Sequence, residues 1–276
     1  MHGASLTNGN AGLRKCGTLR RTISLWHGEE TGMQGQEGGR SGTGGSGPDR
    51  WLTATGQSYL ELSKGQVLGR SMTLHPDAVL VREDTPATHA STIRSGLLRV
   101  QRLGADGRRQ IVNLLLPGDI VVDELDDRTG YSVECCTTVV LSRLRLSDFR
   151  ALVAQDRSLR QAVIAARSRR LERMRWLTWT VGALAPTERF CAFLAFATRI
   201  MPVDRPPDGS LVLHQQLSRT DVADLLVTTV ESISRISHRL QAEGLIEILD
   251  PSHFRIRDLG ALLAAGATKD VFDAMS

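Results

Sequence analysis

Cysteine is scarce in this chain. The 276 residues hold four: Cys16, Cys135, Cys136 and Cys191. Their spacing fits neither a disulfide framework nor a zinc site, which argues against a stapled secreted fold and points to a reducing, cytoplasmic compartment. Long apolar runs are missing too. No stretch reaches the roughly 18–20 residues needed to span a bilayer, so no membrane partner is expected. The N-terminus lacks the apolar core of a secretory signal. There is no phosphate-cradling Gly-rich loop between strand and helix, no Gly-x-Ser-x-Gly elbow and no zinc-ligand spacing. The reading is therefore of a non-enzyme, with no cofactor and no metal.

What is there is ordinary for a globular protein, 41% hydrophobic and 23% charged. The net charge of +4 favours an acidic partner such as nucleic acid, although a solvated basic surface accounts for the charge alone equally well.

Composition divides the chain into five parts. Residues 1–55 form a Gly-rich tail with almost nothing to bury, so disorder is expected there, and Met33 stands as an alternative start. Residues 56–150 carry short apolar runs broken by turns, among them 78–81, 96–103, 109–116, 120–122 and 137–144. Such spacing implies a small barrel or sandwich, with Asp106-Gly107 as one of its turns. Residues 151–182 are dominated by one long helix from about Ser158, after a shorter one capped by Ser147 or Asp148. On the long helix Ile164, Leu171, Met174 and Val181 share a seam, interrupted by Arg167 and Thr178. An apolar seam on an arginine-rich helix suits a two-helix dimer contact; the plainer alternative is a helix packed on its own domain. Residues 183–265 form a further domain after the break at Gly182 and Pro186, and 266–276 are a tail.

The chemistry lies in that further domain. Ser218 is a good N-cap, with Asp221 three residues on to act back toward it, and Val222, Ala223, Leu225 and Leu226 make a buried face. After a tight turn, Thr229 caps a second helix. There Ile233, Ile236 and Leu240 pack inward, leaving Val230, Glu231, Ser234, Arg235 and His238 outside. Two short helices of this kind are a helix-turn-helix, whose second helix reads a major groove in double-stranded DNA. Arg235 can pair with guanine, Glu231 can accept from cytosine and steady Arg235 at i, i+4, and Val230 can touch a thymine methyl. Ser218, Arg219, Thr229 and Ser232 stand where phosphates would meet helix starts. Two strands about a turn at Asp250-Pro251-Ser252-His253 make a wing, and Asp258 caps a last short helix.

From about Gly65 to Ala265 this order resembles the Crp/Fnr family of bacterial transcription regulators. The resemblance is carried by residues 93–100, by Leu116-Pro117-Gly118-Asp119, and most of all by Val230-Glu231-Ser232-Ile233-Ser234-Arg235 with Gly244-Leu245-Ile246 after it. It implies an α+β protein: a double-stranded β-helix (β-roll) of cyclic-nucleotide-binding type, a long dimerisation helix and a C-terminal winged helix-turn-helix. It also implies a homodimer on a palindrome with Fnr-like TTGAT half-sites, and RNA polymerase as a partner if the protein activates. Three departures stand out. Val227 occupies the turn where the family often has glycine, and a β-branched side chain disfavours positive φ, so a differently shaped turn is expected. Residues 118–124 and 131–136 offer no arginine for a cyclic nucleotide's phosphate and several carboxylates that would repel it. The tail offers only Cys16 toward the four thiolates of an iron–sulfur cluster. The alternative function is a ligand- or partner-binding β-roll whose helix-turn-helix is degenerate.

Other residues invite sharper readings. Cys135-Cys136 could sense thiol oxidants, against the plainer reading of two small strand residues. His75 and His89 could ligate haem, against solvated loop histidines. Cys191 reads as partly buried filler, and Trp176 and Trp179 as hinge or dimer packing.

Overall fold

The computed structural model describes residues 69–122 and 129–267. The expected tails (apart from Gly266 and Ala267), Cys16, Met33, Asp123 and Glu124 lie outside the described residues.

Eight strands build the N-terminal part: β1 (Arg70–Leu74), β2 (Val79–Val81), β3 (His89–Ser95), β4 (Leu98–Leu103), β5 (Arg109–Leu115), β6 (Ile120–Val121), β7 (Ser132–Cys135) and β8 (Val139–Arg145). They form two antiparallel sheets, ordered β1-β8-β3-β6 and β2-β7-β4-β5. Ile93, Val121, Val139 and Leu141 of the first sheet meet Leu98, Val100, Leu115, Val133 and Cys135 of the second in one buried cluster. Full burial of each such side chain contributes roughly 1.5–3 kcal/mol. Strands β1, β3 and β7 were not among the apolar runs. In β3 the buried positions include Ser91 and Thr92, so hydrophobicity alone could not mark it as a strand. Gly96 turns β3 into β4 at φ +91°, and a Cβ there would overlap the Thr138 carbonyl oxygen, so no other residue fits.

Helix α1 (Leu146–Gln155) starts two or three residues earlier than expected. Its N-cap is Arg145, which makes no side-chain cap, so neither Ser147 nor Asp148 fills that role. Asp156 caps the long helix α2 (Arg157–Ala183), accepting from the Ser158 and Leu159 amides. One side of α2 is buried through Leu159, Ala162, Val163, Ala166, Trp176 and Leu177. Arg173 on that side makes a buried ion pair with Asp119, the last residue of the Leu-Pro-Gly-Asp turn, whose carboxylate also accepts the Leu116 amide at 2.8 Å. A buried charge survives only when paired, so this contact holds α2 against the β-roll.

The C-terminal part comprises α3 (Pro186–Ile200), β9 (Val203–Asp204), β10 (Leu211–His214), α4 (Arg219–Leu225), α5 (Val230–Ala242), β11 (Ile246–Asp250), β12 (His253–Ile256) and α6 (Leu259–Ala265). Its sheet runs β11-β12-β10-β9. The core is formed by Phe190, Phe193 and Leu194 of α3 with Leu213, Val222, Leu225, Ile233, Ile236, Leu240 and Leu262. Trp176 leans on Phe196 with ring centroids 4.5 Å apart, so it is hinge packing. Cys191 is fully buried rather than partly so. The same cluster takes in Leu97, Ile111, Leu114 and Leu116 from the β-roll, and the two parts therefore share one apolar seam.

The turn between α4 and α5 corrects an expectation. Val227 adopts φ +53°, the conformation a glycine would take. The Thr228 amide donates to the Ala223 carbonyl at 3.0 Å, and Arg189 donates to the carbonyls of Leu226 and Val227 at 3.2 and 3.5 Å. With Leu225 and Leu226 buried before the turn and Ile233 after it, the surroundings overrule the side chain's preference. Val227 is 52% exposed, so its burial offsets little of the strain. Val227→Gly is expected to raise stability by about 1 kcal/mol, seen as a higher urea midpoint at unchanged slope. A lower midpoint would show that the valine is not strained.

Candidate nucleic-acid interface

Both helices of the helix-turn-helix begin on capped termini. Ser218 accepts the Asp221 amide at 3.0 Å, and Thr229 accepts the Ser232 amide at 3.2 Å. Each cap satisfies one of the amides a helix start leaves without a partner and leaves others pointing outward, which makes both starts receptive to anions. Ser218, Arg219 and Thr229 are exposed and Ser232 is half-buried. On α5, Glu231, Arg235 and His238 are exposed and Ser234 is half-buried, opposite the buried Ile233, Ile236 and Leu240. Val230 is less outward than expected. It is half-buried and packs against the domain core, because it opens the helix next to the strained turn.

Arg235 does not rest on Glu231. Its Nη2 donates to the Ser232 hydroxyl at 3.3 Å, the hydroxyl that also accepts from Thr229 at 3.2 Å. Glu231 is held below the usual carboxylate range first by its own backbone amide, then by the Thr229 hydroxyl and the Arg235 charge. It is therefore ionised and an acceptor at neutral pH. Asp221 likewise departs from its expected role. Its carboxylate does not act back on Ser218 but is taken by Arg99 and Arg109 of the β-roll, whose full charges outcompete a helix-terminal amide. Arg189, which steadies the turn, also carried no signal in the sequence.

In the wing, Asp250 accepts the Ser252 amide at 2.8 Å and the His253 ring at 2.7 Å, which together draw its carboxyl down to about 2. His214 and His253 face each other across β10 and β12 with ring centroids 4.5 Å apart. Arg255 and Arg257 both reach Glu247.

The seam on α2 divides. Ile164 is 55% and Leu171 46% exposed on the side turned away from the core, and Met174 is half-buried. Val181 instead packs against the core shared with the C-terminal part, because the helix at its end is already enclosed by that domain. Trp179 is exposed.

Between the sheets of the β-roll lies a cavity of about 350 Å³, lined among others by Arg82, His89, Ser91, Thr129, Tyr131 and Arg143. That volume suits a small ligand. Residues 118–124 and 131–136 hold no arginine, but the fold brings two from outside them to the cavity: Arg82 just after β2 and Arg143 on β8. His89 lies on this cavity and His75 sits exposed in the turn after β1. Burial, then Arg143 and Arg145, lower the His89 pKa, so the ring is neutral at pH 7.

Two family models match the chain in succession: a cyclic nucleotide-binding domain over residues 71–156 and a Crp-like helix-turn-helix domain over residues 188–265. The chain belongs to the Crp/Fnr family. This is a family of transcription regulators, not of enzymes. The chain is 27% identical to the nitrogen fixation regulation protein FixK of Bradyrhizobium diazoefficiens over 190 residues, covering 68% of this chain and 79% of that one. It is 25% identical to the transcriptional activator protein FnrL of Cereibacter sphaeroides over 175 residues, 63% of this chain and 71% of that one. Among solved structures it superposes on FixK2 from Bradyrhizobium japonicum with a TM-score of 0.65 at 22% identity, covering 72% of this chain and 97% of that one. The α+β architecture of this Crp/Fnr protein, a β-roll succeeded by helices and a winged helix-turn-helix, agrees with that superposition.

The three described cysteines are free. Burial pushes the thiols of Cys135 and Cys191 up to about 11 and that of Cys136 up to about 12. A raised thiol pKa leaves the neutral, unreactive form in place at pH 7, against the redox-sensor reading. In a Cys16→Ser background, a disulfide reagent at pH 8 should label the folded protein slowly and the urea-unfolded protein at once. Fast labelling of Cys136 in the folded state would restore the sensor.

Proposed function

We propose that the protein is a cytoplasmic homodimer that regulates transcription by reading a near-palindromic operator with TTGAT-type half-sites, with RNA polymerase as its partner if it activates. The observation that carries the reading is the outer face of α5: Glu231 and Arg235 stand exposed, with the half-buried Ser234 between them, on a helix whose opposite face is buried in a winged domain. Arg235 would pair with guanine, Glu231 would accept from cytosine, and Val230 would approach a thymine methyl from its half-buried position. Ser218, Arg219, Thr229 and Ser232 would hold phosphates and fix register. The exposed Ile164 and Leu171 on α2, flanked by Met174, would pair across a two-fold axis and place two recognition helices about one DNA turn apart. The neighbouring FixK and FnrL regulators support the same class of action. A degenerate helix-turn-helix is disfavoured because the Val227 turn keeps the glycine-like geometry.

Fluorescence anisotropy on a TTGAT-N4-ATCAA duplex tests this. Specific binding should lose roughly 1–3 kcal/mol of discrimination in Arg235→Ala. Equal affinity for scrambled DNA would leave a β-roll sensor or scaffold instead. Arg219→Ala should weaken all sequences alike and reduce the salt slope by about one unit. A sequence-dependent loss would move Arg219 from phosphate to base.

A further inference from the structure

The seam between the β-roll and the helix-turn-helix is apolar at its centre and ionic at its edge. Leu97, Ile111, Leu114 and Leu116 lie in the same buried cluster as Leu217, Val222 and Leu225. Apolar contact of this sort is non-directional, so it holds two bodies together without fixing their angle. The edge supplies direction. Arg99, with its side chain 8% exposed, reaches Asp77 at 3.0 Å and Glu134 at 2.7 Å within the β-roll, and Asp221 of α4 at 3.3 Å. Arg109 takes the other Asp221 oxygen at 2.6 Å and Asp224 at 2.7 Å. The Gln110 side-chain amide donates to the Asp224 main-chain carbonyl at 2.8 Å, and Gln101 accepts from both arginines at 3.2 and 3.3 Å. Asp221 is 5% exposed, so each of its oxygens depends on one guanidinium. Burial opposes the Arg99 charge, but Glu134, Asp77 and Asp221 hold its pKa above the ordinary arginine value, so the pair does not neutralise by deprotonation.

Two planar guanidinium groups on three carboxylate oxygens one helical turn apart define an orientation, not only a contact. They grip the inner side of α4, while Ser218 and Arg219 at its start and the outer face of α5 stay exposed. The grip therefore leaves the reading face free.

We propose that Arg99 and Arg109, by holding Asp221 and Asp224, are positioning residues that fix the angle of the DNA-reading helix and so set the half-site spacing the dimer accepts. This rests on the homodimeric, palindrome-reading function proposed above. Each added base pair shifts the second half-site by ~3.4 Å of rise and about 35° of rotation. A head fixed at its first helix cannot follow that change; a head held only by apolar contact can.

The test uses the full chain and duplexes carrying two TTGAT half-sites separated by three, four or five base pairs, with a single half-site as reference. Wild type should favour one spacer by about tenfold. Arg109→Gln with Asp224→Asn should bring the three spacers within about threefold of one another while single-half-site affinity stays unchanged. Arg109→Lys, which keeps the charge and loses the fork, should fall between. Arg109 and Asp224 are both partly exposed, 22% and 24%, and the buried Asp221, which loses Arg109, keeps Arg99 as its partner. Retention of the wild-type spacer preference in the double variant overturns the proposal. So does an equal loss on the single half-site, which would mean the residues act within the helix-turn-helix. If wild type discriminates neither spacers nor scrambled DNA, the operator reading fails, and amide exchange over β5 and α4 decides the grip separately. Faster exchange of both segments in the double variant supports it, and unchanged exchange removes it.

Discussion

The structure depends on guanidinium groups largely withdrawn from water. Arg99 is buried between β-roll and helix-turn-helix, and Arg173 between β-roll and long helix. Neither is tolerable alone, since an unpaired buried charge costs several kcal/mol. Arg173 is met by Asp119 in the turn before β6, while Arg99 is met by Glu134 and Asp77 within the β-roll and also takes the buried Asp221 of α4, a carboxylate that has no partner on its own helix cap. The β-roll is in this way tied at two points, to α4 and to α2, by bonds with direction as well as strength. The apolar seam around them supplies most of the adhesion, and the ion pairs choose among the arrangements it would permit.

The same logic explains the helix-turn-helix. Its caps are local and need nothing from afar. Its turn is not local at all: Val227 is held in a conformation that its own side chain resists, by Arg189 reaching from α3 and by buried neighbours on both sides. The reading face is thus presented by a helix whose entry is fixed by the domain core, while the wing beside it is stiffened by Asp250 and His253.

How much was legible depended on the range of the forces. The caps at Ser218 and Thr229, the inward spacing of Ile233, Ile236 and Leu240, the wing turn at Asp250-Pro251 and the long helix all arise from residues within a few positions of one another, and the structure shows each of them. Strand β3 was illegible because it buries serine and threonine against neighbouring strands. The start of α1 carried no local signal, because its N-cap, Arg145, makes no side-chain cap. Val181 fell on the right helical seam yet faces the core, since a periodicity says which residues share a face but not what covers it.

The sequence by itself determined the helices and the wing turn of the C-terminal domain and that Glu231, Arg235 and His238 stand outside, but not strands β9 and β10 or the half-buried Val230, because helical period, capping and turn chemistry act within one or two turns of chain. Only the tertiary structure decided that Asp221 serves the β-roll rather than its own helix cap, that Arg82 and Arg143 converge on one cavity, and that Val227 accepts a glycine's geometry. Those outcomes are set by charge pairing and burial between residues tens to over a hundred positions apart, and no local pattern encodes such distances.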